Sequence, residues 1–265
     1  MDKIDITLQE SRVRNMLKTE YIGKDFHFFE ETTSTFDAAD HIAIKNGSVF
    51  CARKQTNGRG RLGRSWESQN GGIYFSIILM PDARFSEVQI MTALCAVGIR
   101  RALSKFLPCS IKWPNDIVSK DGKKICGILT KLKFIDDGKA IVNVGIGINA
   151  NTKKFDDELK YASSVALITG KDVDENLVLC GALEEVERCI SFGNISETIE
   201  EYKKECVTLG KRVRVLYATS GESVTGLCED IKDDGSLIVK TDEGEIINVR
   251  SGEVSVRGIY GENYV

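Results

Sequence analysis

Between Thr56 and Gly72 the chain reads Thr-Asn-Gly-Arg-Gly-Arg-Leu-Gly-Arg-Ser-Trp-Glu-Ser-Gln-Asn-Gly-Gly, five glycines and three arginines in one stretch. Glycine lets backbone N–H groups come close to an anion, and a guanidinium presents a planar fork that matches carboxylate or phosphate oxygens. Gly58, Arg59, Arg61 and Arg64 therefore predict a loop that closes on an anion. As a pattern the stretch fits Gly-x-Gly-x-x-Gly and, with Arg64 in the lysine position, a P-loop. Both need a helix to follow at once, because its N-terminal amides hold the phosphate. An apolar strand, Ile73 to Met80, follows instead, so neither applies. A solvated basic loop is the plainer alternative, but arginines spaced two or three apart among glycines favour anion binding.

A second group of unusual residues lies downstream. Ser110 to Val118, Lys124 to Ile135 and Lys139 to Asn149 read as strands, separated by Asp121-Gly122 and Asp137-Gly138, the chemistry of two-residue hairpins. With tight turns, partners sum to 243 across the first hairpin and 275 across the second, which sets Asp116, Gly127 and Ile148 abreast. Lys112-Trp-Pro-Asn115-Asp116 interrupts the first strand, Gly127 empties the second, and Gly145-x-Gly147-x-Asn149 empties the third. Glycine inside a strand costs roughly 0.5 to 1 kcal/mol relative to Ala, so three together imply that something approaches the sheet face. A ligand is the expected occupant; a bulge or close helix packing is the alternative. Lys124 follows directly on a turn, where a long side chain can leave the sheet.

The elements that must position these groups come in order. A short helix is expected within 5–18 and a strand at Phe26 to Glu30. Ser34 and Thr35 then supply N-cap oxygens for a helix from Phe36 to Lys45 that stops at Gly47. Ser48 to Arg53 is a strand that leads through Gln55 into the basic loop. Ser86 and Gln89 form a capping box for a buried helix ended by Pro108. Helices are expected at 176–190 and 196–208. From Val213 short alternating runs with turn signals at Ser220-Gly221, Asp234-Gly235 and Glu243-Gly244 predict a five-stranded antiparallel mini-barrel. The boundary is placed near Leu209, giving units 1–209 and 210–265.

At 265 residues and a formal charge of −3, with 28% charged residues, the chain describes an ordinary globular protein whose basic loop is local chemistry. Nucleic acid is a weak candidate partner. The N-terminus has no apolar signal core and Ile90 to Ile99 is too short to span a bilayer, so a cytosolic chain with no membrane partner is expected. Eight cysteines without a C-x-x-C pair are expected as free core thiols rather than zinc ligands. Two histidines, His27 and His41, argue against a histidine-based triad.

Gly58-Arg-Gly-Arg-Leu-Gly-Arg-x-Trp66, Lys112-Trp-Pro-Asn-Asp116, Lys124-Ile-Cys-Gly-Ile-Leu129, Gly145-Ile-Gly-Ile-Asn149, the Ser34-Thr35 step and Gly252-Glu-Val-Ser-Val-Arg257 together resemble the biotin protein ligases, in the same order and over nearly the whole chain. The resemblance implies an α+β fold: a mixed, largely antiparallel sheet with helices, like the class II aminoacyl-tRNA synthetase catalytic domain, followed by a small SH3-like barrel. It implies that biotin and ATP give biotinoyl-5′-AMP and pyrophosphate, with Mg²⁺, and that the acyl group passes to a lysine of a carboxylase's biotin carrier domain. By motif match, Ser34, Thr35, Gln55, Gly58 and Gly127 belong to the biotin site, and Arg59 and Arg61 to carboxylate and phosphate. Lys124 would bridge the biotin carboxyl oxygen and the α-phosphate. Arg64, Lys112, Asn115, Asp116, Asn149 and Arg257 would meet the nucleotide, with Asp116 on the metal. Monomer or homodimer is left open.

Two departures stand out. Many relatives carry Asn or Gln after Ser-Thr, where this chain has Phe36. Only residues 1–25 precede the first expected strand, too few for a winged helix, so neither specific DNA binding nor a repressor role is expected. A lipoate ligase shares the fold and adenylation logic, and a silent biotin-binding sensor would need neither Lys124 nor the arginines.

Overall fold

The computed structural model describes residues 5–40, 42–81, 88–134, 140–192, 195–217, 220–251 and 254–257, with Phe134, Phe192 and 254–257 as backbone only. In chain order the first elements are α1 (Glu10–Met16), β1 (Phe26–Thr32), α2 (Thr35–Ala38), β2 (Val49–Gln55), β3 (Gly58–Arg59), β4 (Ser65–Trp66) and β5 (Gly72–Leu79). Then come α3 (Val88–Leu103), β6 (Cys109–Lys112), β7 (Asp116–Ser119), β8 (Lys124–Phe134), β9 (Ala140–Asn149), α4 (Val165–Thr169), α5 (Glu175–Glu187) and α6 (Ile195–Lys204). The last are β10 (Arg212–Tyr217), β11 (Ser223–Ile231), β12 (Leu237–Thr241), β13 (Ile246–Val249) and β14 (Val254–Arg257).

Seven strands form one sheet in the order β1-β2-β5-β9-β8-β7-β6, antiparallel except for the β1–β2 pair. Alternation along β5 divides its two faces. Ile73, Phe75, Ile77 and Leu79 join the main core with Met91, Leu94 and Ile99 of α3 and Leu179 and Leu183 of α5. Tyr74 and Ser76 face the other side. Arg101 of α3 donates to Glu201 of α6 at 3.0 Å. The chain before β1 is held by the buried Glu187 carboxylate, which accepts the N–H groups of Glu20 (2.6 Å), Tyr21 (2.9 Å) and Ile22 (2.7 Å). All eight cysteines are free and buried, as expected.

Five strands make the second, antiparallel sheet, in the order β13-β12-β11-β10-β14. Its turns carry Gly221, Gly235 and Gly244 at φ of 74°, 80° and 88°, which explains the glycine at each predicted turn. Val213, Val215 and Val239 from this sheet join the main core, and Trp113 Nε1 donates to Gly235 O at 3.0 Å.

Four sequence expectations change. The helix expected to reach Lys45 stops at Ala38 and the one expected at 196–208 ends at Lys204, while the one expected at 176–190 runs as α-helix over Glu175–Glu187 and continues as a π-helical turn over Arg188–Phe192. The second hairpin pairs by 274, not 275: Cys126 faces Ile148, Gly127 faces Gly147 and Phe134 faces Ala140, so its loop is odd in length. A one-residue slip exchanges the faces of a strand, so Gly147, not Ile148, stands abreast of Gly127 and Asp116. The first hairpin also turns more widely, with Ser119 N donating to Lys123 O, and a bulge at Lys124 and Ile125 restores the 243 register at Asp116 and Gly127. The Ser86 half of the proposed capping box lies outside the described residues.

Candidate active site

The corrected register builds a row straight across the sheet: Lys112, Asp116, Gly127, Gly147 and Tyr74 are successive partners on β6, β7, β8, β9 and β5. Above this row lies a cavity of about 340 Å³. That is near the lower end of the roughly 300 to 1,000 Å³ usual for small-molecule sites.

One end is a corner of hydroxyl and amide groups. Ser34 caps α2 by accepting Phe36 N–H, while Thr35 N–H donates to Gln55 Oε1 at 2.9 Å. Thr35 Oγ1 shares a 2.9 Å hydrogen bond with Ser76 Oγ, and Gln55 Nε2 donates to Ser68 Oγ at 2.8 Å. Ser34 and Thr35 are buried, so the corner is already shaped. Phe36 lies on Gly145, where a β-carbon would come within 2.9 Å of its ring, and Asn143 Nδ2 holds the Phe36 carbonyl at 2.9 Å.

The other end is cationic. The bulge turns the Lys124 backbone away from β7: its N–H donates to Tyr161 O at 2.7 Å and its carbonyl accepts Ser163 N–H at 3.0 Å. The side chain lies over Gly127, with Nζ 2.7 Å from Asp116 Oδ1 and 5.1 Å from the centre of the Trp66 ring. The Lys–Asp contact is a charge-assisted ion pair that ties β8 to β7 at this end of the cavity. Arg61 Nη1 donates to Asn115 Oδ1 at 3.0 Å and Nη2 to Ser251 O, and Asn115 in turn donates to Ile128 O. Burial draws the Arg61 pKa down from its usual value, with neighbouring Asp116 opposing. Arg59 is ion-paired with Asp37 at 2.7 Å. Arg59, Arg64, buried Lys112 and Glu158 complete this part of the wall.

The basic loop is a small hairpin: Gly58 pairs with Trp66 and Arg59 with Ser65, with Leu62 at φ 55° at its tip. It brings Trp66 onto the glycine floor. A β-carbon at Gly147 would lie 2.4 Å from Trp66 Cε2, and one at Gly127 would lie 2.7 Å from Cζ3. What lies on the sheet at Gly127, Gly147 and Gly145 is Trp66 and Phe36, side chains of the chain itself, rather than the ligand expected there.

Of the predicted site residues, Ser34, Thr35, Gln55, Arg59, Arg61, Arg64, Lys112, Asn115, Asp116, Lys124 and Gly127 all line the cavity. Gly58 stands behind it, where a side chain would strike Trp66 O and Gln55 Nε2. Asn149 is buried beside it and donates to Ser163 O at 3.1 Å. The Arg257 side chain lies outside the described residues. Sequence reasoning missed Ser76 and Tyr161; the β5–β9 register, unavailable from the sequence, was needed to find Ser76.

A polar corner, a glycine floor walled by Trp66 and a cluster of fixed cations in one cavity define a protein that binds a small molecule with a polar head and an anionic end. Residues 27–151 match the model of the biotin/lipoate A/B protein ligase family, and residues 208–257 match the biotin protein ligase C-terminal domain. The chain is 34% identical to the bifunctional ligase/repressor BirA of Bacillus subtilis, over 89% of this chain and 76% of that protein. It is 28% identical to the biotin–[acetyl-CoA-carboxylase] ligase of Mycobacterium tuberculosis, over 79% of each. Among solved structures, the biotin protein ligase of Aquifex aeolicus in complex with biotin and ATP is similar with a TM-score of 0.77 and 32% identity, over 88% of this chain and 99% of that one. The chain belongs to the biotin protein ligase family, and is thereby an ATP-dependent ligase.

Proposed function

We propose that the chain activates biotin as biotinoyl-5′-AMP and then transfers it to a lysine of a carboxylase's biotin carrier domain. In the first step a biotin carboxylate oxygen attacks the α-phosphorus of ATP, and the bond to pyrophosphate breaks. In the second a lysine amine attacks the acyl carbon, the C–O bond to AMP breaks, and the amine loses a proton. Two anions must meet in the first step, so the site needs fixed cations aimed at the developing charge.

Ser34, Thr35 and Gln55, held by their mutual hydrogen bonds, suit the ureido and ring end of biotin. Lys124 suits the meeting point of carboxylate and α-phosphate. Arg59, Arg61, Arg64, Lys112 and Asn115 are placed for the phosphates and nucleotide, and Asn149 and Arg257 are assigned there by motif alone. Among the described residues no group of three His, Cys, Asp or Glu side chains could hold a metal. Asp116, a carboxylate on the cavity wall beside Lys124, has the oxygen chemistry to share Mg²⁺ with nucleotide phosphates. When bound, Mg²⁺ supplies charge to the departing pyrophosphate. We assign the activation chemistry to a unit before Leu209 and read the remainder as a smaller unit that supports the cation cluster through Gly235 and Ser251.

The observation that carries this reading is the Lys124 ammonium poised over a glycine floor, opposite a preformed hydroxyl corner. Biotin-dependent exchange of labelled pyrophosphate into ATP tests it, with lipoate as control. Exchange with biotin alone is expected; equal exchange with lipoate would return the chain to the wider biotin/lipoate group without a chosen substrate.

A further inference from the structure

The turn between β6 and β7, residues 113–115, carries Asn115 and leads into Asp116, and its backbone is held by groups from other elements. Trp113 N–H donates to the buried Thr208 Oγ1 at 3.0 Å, and the Asn115 carbonyl accepts Ile128 N–H at 2.9 Å. Between them Pro114 has no N–H, so its carbonyl is the one backbone group it can offer. That carbonyl accepts the Tyr202 O–H at 3.0 Å. Tyr202 is 1% exposed and does not line the cavity. Burial pushes its phenol pKa well above the usual value, with the Asp116 charge adding to the rise and Arg61 opposing it, so the hydroxyl stays a donor.

The helix that carries this phenol is anchored independently of the turn. Thr198, Ile199 and Tyr202 fall on one buried face of α6. Arg101 of α3 donates to Glu201 at 3.0 Å, and Arg100 pairs with Glu205 at 2.6 Å. Past the helix, Glu205 O accepts Ile111 N–H and Ile111 O accepts Val207 N–H, each at 2.9 Å, which stitches the chain to β6 just ahead of the turn.

We infer that Tyr202 is a positioning residue for adenylation: its hydroxyl fixes the middle of the 113–115 turn and thereby sets Asn115 and Asp116 for the nucleotide. This rests on the nucleotide end of the ligase reading and extends it to a residue outside the cavity. Asn115 passes the constraint on. Its Oδ1 accepts Arg61 Nη1 at 3.0 Å and its Nδ2 donates to Ile128 O, so a shift of the turn also moves the anchor of the arginine. Asp116 Oδ1 lies 2.7 Å from Lys124 Nζ, so the same shift reaches the cation proposed for the reacting centre. The Ser34–Thr35–Gln55 corner is at the other end of the cavity, with hydrogen bonds that run to Ser76 and Ser68 instead.

Tyr202→Phe keeps the ring and removes the hydroxyl, while Tyr202→p-aminophenylalanine returns a neutral donor to the same place. Three quantities separate positioning from packing: the melting temperature, the Kd for biotin alone by titration calorimetry, and kcat/KM for ATP in biotin-dependent pyrophosphate exchange. For Tyr202→Phe, kcat/KM for ATP is expected to fall roughly ten-fold. Its melting temperature should stay within about 5 °C, and its biotin Kd within about two-fold, of wild type. Tyr202→p-aminophenylalanine should recover most of the lost kcat/KM. Wild-type ATP kinetics in Tyr202→Phe overturn the inference and leave the ligase reading standing. A Tyr202→Phe protein that fails to fold, or that weakens biotin and ATP alike, makes Tyr202 a packing residue and overturns it too. So does a Tyr202→p-aminophenylalanine protein that is no better than Tyr202→Phe. Wild type without biotin-dependent exchange overturns the ligase reading, and the inference with it.

Discussion

Lys124 Nζ stands 2.7 Å from Asp116 Oδ1, on adjacent strands joined by a turn and corrected by a bulge at the lysine itself. The bulge frees the Lys124 backbone to pair with 161–163 and sends its side chain over Gly127. A cation fixed there is a donor placed before any substrate arrives. Lys124→Met should retain its melting temperature to within a few degrees and lose adenylate formation by roughly two orders of magnitude or more. Single-turnover adenylation is the measurement, and full activity would remove Lys124 from the proposed role.

Arg61 joins the basic hairpin to Asn115 and, across 190 residues of sequence, to the Ser251 carbonyl. Because biotinoyl-AMP would acylate any exposed lysine, its retention matters. Losing a charge-assisted contact costs roughly 1.5 to 3 kcal/mol, or about ten- to a hundred-fold faster release. Arg61→Gly should still form adenylate, yet biotinylate bystander protein in an avidin blot. Bystander labelling no higher than wild type speaks against retention by Arg61.

Glu187 replaces water for three consecutive backbone donors ahead of β1. Glu187→Ala leaves them without that acceptor, at a cost of about 3 kcal/mol or more. The melting temperature should fall by roughly 6 to 12 °C. A change below about 2 °C would mean that water substitutes freely.

The Arg101 hydrogen bond, opposed by burial, holds the Glu201 carboxyl below its usual 4.5. The folded state therefore binds that proton less readily than the unfolded one. Its contribution is present above pH 4.5 and is lost as pH falls through the lowered value. Glu201→Gln should flatten the acid limb of stability against pH below about 4.5, while a limb identical to wild type assigns that limb to other carboxylates.

With a formal charge of −3 and with Arg59 held by Asp37, operator recognition is not expected. Gel shifts at moderate salt should show no specific complex; one that survives salt would contradict this.

Local signals carried the strands, the turns at Gly221, Gly235 and Gly244, the burial of all eight cysteines and the Ser34 cap, because each depends on side-chain pattern or on a φ that only nearby residues set. They also pointed to most of the residues that line the cavity, since glycines, arginines and a lysine crowd into those few stretches. The sequence alone could not place Gly147 rather than Ile148 beside Gly127, because the parity of a hairpin loop decides which face of a strand is seen. Nor could it show α2 ending at Ala38. Trp66 on the glycine floor and Arg61 on Ser251 belong wholly to the tertiary structure. Both are contacts between segments far apart in the chain, and no local preference encodes them until folding has laid the basic hairpin on β8 and β9 and beside Ser251.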